Sequence, residues 1–270
     1  MENNINKISL DTLCRALCEI MGIDAPKHAA MADTRLTEYA KQAFGGEKAD
    51  RVLMFNPDAV AEWIFKKYSF LVSDVEKIAE LKLPYATVMP SVTPVCFGTM
   101  YTGAQPEVHG IMKYEKPVIK IETIFDALIK AGKRAVILAE TGFSMAKIFL
   151  ERDMDYFIYD TIEEINAKAA EIIMEDKYDF IAVYNGNYDH NMHEFGPESL
   201  EALSSLRLNS QNYAFLTTLV SRFWKKHNTL TAFAMDHGCH EIDGGAGSHG
   251  LYMEEDINIM HSFKAFPKEK

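Results

Sequence analysis

The chain has 270 residues, 48% of them apolar and 25% charged, enough for one large α/β domain or two small ones with an ample core. Its 28 basic and 39 acidic residues leave a net charge of −11, which argues against a nucleic-acid polymer or an anionic membrane as its main partner. No window is apolar enough for a membrane span, and MENNINKISLDTL lacks the basic start and apolar core of an export signal. A cytoplasmic protein is therefore expected. Cys14, Cys18, Cys96 and Cys239 form neither zinc-ribbon pairs nor a disulfide framework.

Residues 8 to 45 carry helical periodicity. Ser9 or Asp11 is placed to cap a helix running to Met21, and Asp33 a second to Ala43, stopped by Gly45-Gly46. This pair reads as an N-terminal helical embellishment covering residues 1 to 46. A buried strand follows at Val52 to Asn56, then Pro57-Asp58 and a helix bearing Trp63, Ile64, Phe65 and Tyr68. A helix from Val72 to Leu81, a strand from Tyr85 to Met89 and a helix near residue 95 that breaks at Thr102-Gly103 come next.

After residue 117 helices and strands alternate regularly. Helices are expected at Ile121 to Ala131, residues 144 to 151, Ile162 to Glu175 and Glu198 to Lys226. Strands are expected at Ala135 to Ala139, Tyr156 to Tyr159, Phe180 to Tyr184 and Thr231 to Met235. Repeated β-then-α units imply an α/β fold with a mostly parallel sheet and helices on both faces. Nothing reads as a repeat or a linker, so one domain over residues 1 to 270 is expected.

In such sheets ligands bind beyond the carboxyl ends of the strands. Four strand ends run into acidic, histidine or hydroxyl residues. Asp58 follows the strand 52 to 56, where it could equally cap the next helix. Thr93 precedes a helical stretch whose N-terminus favours an anion, or it could simply cap that helix with Pro94 at the first position. Asp189 and His193, four apart, follow the strand 180 to 184, a one-face spacing suited to a metal. Asp236-His237, with His249 close behind, follows the last strand; imidazole nitrogens and carboxylate oxygens are good zinc ligands.

Together these stretches resemble the alkaline phosphatase superfamily, in particular its type I phosphodiesterase/nucleotide pyrophosphatase branch. The resemblance rests on Pro90, Thr93, Thr102-Gly103, Pro106 and His109-Gly110-Ile111, on Asp189, His193, Gly196 and Pro197, and on Asp236-His237-Gly238 and His249-Gly250, in matching order across roughly residues 51 to 250. It implies two divalent ions, zinc with manganese as the alternative. One would be held by Asp189, His193 and His249, the other by Asp58, Asp236, His237 and the Thr93 oxygen. It also implies a small phosphate-ester substrate, a diester or nucleotide pyrophosphate cleaved through covalent Thr93. A phosphomonoester or phosphonate is the alternative substrate, and a non-catalytic metal- or nucleotide-binding module the rival from another class.

Cys96 departs from the pattern, standing where many members of the branch carry an Asn that donates to the phosphoryl oxygen. With His109 and Lys113 it is a candidate substrate contact. Only 42 residues separate His193 from Asp236, mostly one long helix, so no large cap domain is expected. The N-terminal helices or a second subunit could take a cap's place, and an oligomer is left open.

Overall fold

The structure, a computed structural model, describes residues 4 to 269. Helices α1 (Thr12–Met21) and α2 (Thr34–Ala43) precede β1 (Arg51–Pro57), α3 (Glu62–Lys67), α4 (Ser73–Ile78) and β2 (Leu81–Ala86). Next come α5 (Thr93–Thr102), α6 (Pro106–His109), α7 (Ile124–Lys130), β3 (Ala135–Glu140), β4 (Asp155–Tyr159), α8 (Ile162–Glu175) and β5 (Phe180–Asn185). The chain continues through α9 (Asn187–Phe195), α10 (Leu200–Phe223), β6 (Thr229–Phe233), the short β7 (His240–Glu241) and β8 (Gly247–Ser248), α11 (Glu254–Ile257) and β9 (Asn258–Phe266).

Seven strands form one sheet in the order β2-β9-β6-β1-β5-β3-β4. The five from β6 to β4 are parallel, and β9 runs antiparallel to both its neighbours. Strands β1, β5 and β6 are buried almost throughout, the near-continuous apolar runs of a sheet covered on both faces. Adjacent residues of β1 show the two layers, because neighbouring side chains on a strand point to opposite faces. Phe55 packs its ring 6.0 Å from Tyr213 of α10, whereas the Asn56 Oδ1 accepts from Tyr101 of α5 at 2.6 Å.

Helix starts follow the local chemistry. Asp33 accepts from the Arg35 N–H, Thr123 and Asp126 form a reciprocal capping box on α7, and Thr161 and Ser199 cap α8 and α10. Asp11 occupies the N-cap of α1 without bonding through its side chain, and Gly22 ends that helix in the left-handed region.

Three expectations need correction. Residues 144 to 151 form turns rather than a helix: Met145, Ile148 and Phe149 have helical spacing, but a single turn on the Ser144 carbonyl suffices to bury them. The strand expected at Tyr85 to Met89 lies earlier, at Leu81–Ala86. It is an edge strand, where Pro84 costs no ladder bond, and residues 87 to 92 form the loop into α5. The tail, unassigned from sequence, supplies β9 inside the sheet.

The N-terminal helices do not cover the carboxyl edge. Cys14 Sγ lies 3.6 Å from the Tyr101 carbonyl and Ala30 N–H donates to Gly103 O at 2.8 Å, both at the end of α5 remote from Thr93. No large insertion stands between His193 and Asp236, and no helix among the described residues is long and apolar enough to cross a membrane.

Candidate active site

Beyond the carboxyl ends of β1, β5 and β6, loops and helix starts bring together the seven side chains singled out from sequence. Asp58, Asp236 and His237 form one group and Asp189, His193 and His249 another, the ligand atoms within each lying inside 4.8 Å of one another. The two groups meet where the His237 and His249 rings lie with centroids 4.1 Å apart, their planes tilted by 34°. Thr93 belongs to the first: its Oγ1 is 3.4 Å from both Asp58 oxygens and 3.3 Å from His237 Nε2. Val92, not Thr93, is the N-cap of α5, so the hydroxyl is free of capping and faces the group. Asn56, two residues before Asp58, is occupied by Tyr101 and the Ala234 carbonyl.

Each histidine is oriented by its other nitrogen. His237 Nδ1 donates to Gly238 O at 2.9 Å, His249 Nδ1 to Ser91 O at 2.9 Å and His193 Nδ1 to Gly247 O at 3.0 Å, the tautomers being assigned from these carbonyl partners. All three Nε2 lone pairs therefore turn inward, as metal-ligating imidazoles held by a backbone carbonyl do. Gly238 is required here, since a Cβ would come within 2.0 Å of the Glu255 carbonyl. The Tyr184 hydroxyl donates to Asp58 Oδ2, and Ala59 N–H to Asp236 Oδ1 at 3.2 Å.

The electrostatics of the groups call for cations. Burial, then the charges of Asp236 and Asp189, raises the Asp58 carboxyl well above its usual range; burial brings Asp236 up to about 8, with the Asp189 charge adding to it. Burial, with His249, pushes His237 well below the usual imidazole range. Buried Asp236 Oδ2 and Asp189 Oδ1 have no hydrogen-bond donor, and the nearest nitrogens are inward lone pairs. Oxygen and nitrogen donors facing each other around a buried negative charge fit a divalent ion at each group. The first group is fully enclosed, whereas the His193 side chain is 44% exposed, so the second opens to solvent.

The three candidate substrate contacts are not brought in. His109 is buried against α5, its Nε2 3.1 Å from Thr99 Oγ1 and its Nδ1 accepting from Ile111 N–H. Cys96 is wholly buried, its Sγ 3.9 Å from Val88 O, and Lys113 is exposed beside Glu115. Glycine at 98 leaves room for the His109 ring, which explains the His-Gly turn as packing. The same segment instead contributes Tyr114, whose phenol pKa is raised by burial and then by Asp58 and Asp189. Lys116 Nζ sits 5.0 Å over the Tyr114 ring and 5.9 Å over Phe143, and Phe143 lies 5.7 Å from the Tyr184 ring. Tyr114 reads from the sequence as a candidate wall residue beside His109 and Lys113, whereas Tyr184, Lys116 and Phe143 went unread.

The mostly parallel seven-stranded sheet with helices on both faces is a fold that this chain shares with solved nucleotide pyrophosphatase/phosphodiesterase and phosphonoacetate hydrolase structures. Murine ectonucleotide pyrophosphatase/phosphodiesterase 5 superposes with a TM-score of 0.58 at 18% identity, over 72% of this chain and 58% of its own. An inactive threonine-to-alanine variant of that protein in complex with AMP gives 0.56 at 16% identity, over 72% and 59%. Phosphonoacetate hydrolase from Sinorhizobium meliloti 1021 in complex with phosphonoformate gives 0.55 at 16% identity, over 73% and 59%. In each case the match spans less than two thirds of the neighbour's length. No family model and no curated protein matches the sequence.

Proposed function

We propose that the chain, folded as one domain, is a two-metal phosphohydrolase that cleaves a phosphodiester or nucleotide pyrophosphate through a covalent Thr93 intermediate. The carrying observation is the Thr93 hydroxyl inside one ligand group, with the second group reached through the His237–His249 ring contact. Asp58, Asp236, His237 and Thr93 would hold one ion, and Asp189, His193 and His249 the other. Zinc suits the imidazole share of these ligands, with manganese as the alternative. When bound, such a pair of ions clamps the phosphoryl group and stabilises charge on the attacking and leaving oxygens.

Thr93 Oγ1 attacks phosphorus, the bond to the leaving oxygen breaks, and water then hydrolyses the phosphothreonine ester. Asp58 lies at hydrogen-bond distance from the Thr93 hydroxyl and is the acceptor at hand for its proton. Tyr184 positions that carboxylate, and Tyr114, Lys116 and Phe143 form a wall for an aromatic or anionic substituent. The neighbour bound to AMP and the inactivity of its threonine variant support the nucleotide reading. The phosphonoacetate hydrolase neighbour favours a phosphonate as the second reading.

The test is turnover of nitrophenyl mono- and diesters, a nucleotide pyrophosphate and a phosphonate by wild type and Thr93→Ala. A loss of about 10³-fold or more is expected for Thr93→Ala with most metal retained, since it removes the attacking oxygen and one ligand. Near-normal kcat in that variant would mean that water attacks directly. No turnover of any ester by metal-loaded wild type would leave a binding module.

A further inference from the structure

Helix α10 spans 24 residues, about 36 Å at 1.5 Å per residue. Leu206, Asn209, Tyr213, Leu216 and Val220 turn into the core. On a flank away from that face, Leu200 is 78% exposed, Leu208 37%, Phe215 54% and Phe223 41%. At roughly 100° per residue these four fall within an arc of about 140°, so they form one stripe rather than scattered exposures. Glu201 and Arg222 lie in the same arc at opposite ends of the helix. Neither side chain has a hydrogen bond or ion pair among the described residues.

The stripe is self-complementary. Leu200 and Phe223, Glu201 and Arg222, and Leu208 and Phe215 are each equidistant from the helix midpoint between Gln211 and Asn212. A twofold axis through that midpoint lays a second α10 antiparallel on the first. It sets Leu208 against Phe215 near the centre and Glu201 against Arg222 at both ends, with Leu200 and Phe223 on opposite flanks of the contact. Closed dimers require such an isologous surface, in which one patch meets itself. The charges match in this orientation alone: a parallel pair in register sets Glu201 on Glu201 and Arg222 on Arg222.

We infer that this chain forms a homodimer through antiparallel contact of α10 with α10 of a second copy, with Phe215 as its apolar anchor and reciprocal Glu201–Arg222 pairs setting the register. One helix face is a small interface, so the dimer dissociates with a Kd on the order of 10 μM.

Sedimentation of the full chain from about 1 to 200 μM should show the average mass rising from 30.5 kDa towards twice that. Phe215→Glu should remain monomeric over this range with unchanged far-UV circular dichroism and metal content. Glu201→Arg and Arg222→Glu should each weaken the dimer about tenfold, because each creates two like-charge contacts. The double variant should return to within about threefold of wild type, since the swap restores both pairs. A monomer at every concentration, a dimer indifferent to Phe215→Glu, or a double variant no tighter than the single variants would each overturn the inference.

Discussion

The Nε2 atoms of His193 and His249 lie 3.0 Å apart, although each ring has already committed its Nδ1 to a backbone carbonyl. Two inward lone pairs repel at that distance unless a cation stands with them, and the Asp189 carboxylate, 3.3 and 3.4 Å from the two nitrogens, completes a ligand set. Elemental analysis of purified protein is expected to find close to two divalent ions per chain. His249→Ala should remove about one of them and leave the buried Asp58 group loaded. Chelation should lower the melting temperature, because an ion that binds only the folded state at about 100 times its Kd stabilises it by about 2.7 kcal/mol. Protein that carries no ion, and neither gains stability nor turns over esters with added zinc or manganese, would rule the site out.

The parts of this site that sit at strand ends were legible in the sequence. Asp58, Asp189, His193 and Asp236-His237 follow buried runs whose apolar pattern marks where a strand stops, and the parallel topology brings those stops to one edge. Thr93 was placed by its motif instead, since the strand before it ends at Ala86. Tyr184 was not legible, because a tyrosine in a buried strand reads as core, as Tyr85 in β2 does. His109 misled in the opposite sense: its order in the motif suggested a site wall, whereas the missing side chain at Gly98 draws the ring into packing. Strand β9 had a signal, the partial alternation of Ile259, His261, Phe263 and Ala265, but it lay in a tail beyond the last recognisable βα unit. Its antiparallel insertion beside β6 is a long-range pairing that local pattern cannot reveal.

Tyr184→Phe isolates the contribution of the hydroxyl on Asp58 Oδ2. Hydrogen bonds behind a ligand typically account for 10- to 100-fold in metal affinity or activity. The expected outcome is a loss of that size in kcat or in affinity for one of the two ions, with the fold intact, because the ring still packs on Phe97 and Phe143. Metal titration by calorimetry, read beside ester kinetics, checks it. Unchanged metal affinity together with unchanged kcat would reduce Tyr184 to a packing residue.

Cys96 is buried beneath α5, and burial followed by the Asp236 charge raises its thiol pKa well above the usual range. Installing the relatives' amide by Cys96→Asn therefore should not improve catalysis. It puts extra polar atoms in a buried site that holds a thiol bonded only weakly, at a cost of about 1–3 kcal/mol. Thermal denaturation should show a lowered midpoint with kcat/KM for a nitrophenyl diester no higher than wild type. A rise in kcat/KM without destabilisation would put position 96 at the substrate after all.

His261 makes the acid side of the stability profile testable. It lies fully buried on β9, with Nε2 donating to Met235 O at 2.7 Å, Nδ1 buried without a partner and the Tyr85 ring 4.9 Å away. Burial lowers its pKa to about 4, from an ordinary 6.5. A depressed folded-state pKa on a histidine means that below pH 6.5 the unfolded chain binds a proton that the native state refuses. Stability is therefore lost as pH falls from 6.5 towards 4, by up to about 3 kcal/mol from this group. His109, buried and likewise brought down to about 4, acts in the same window, so the wild-type profile alone does not isolate His261. His261→Gln keeps a neutral donor and does not titrate. It should be less stable than wild type at pH 7, with a deficit that shrinks steadily towards pH 4.5 in urea unfolding. A deficit that stays constant across that range would mean that His261 titrates alike in the folded and unfolded chains, and would withdraw it from the acid response.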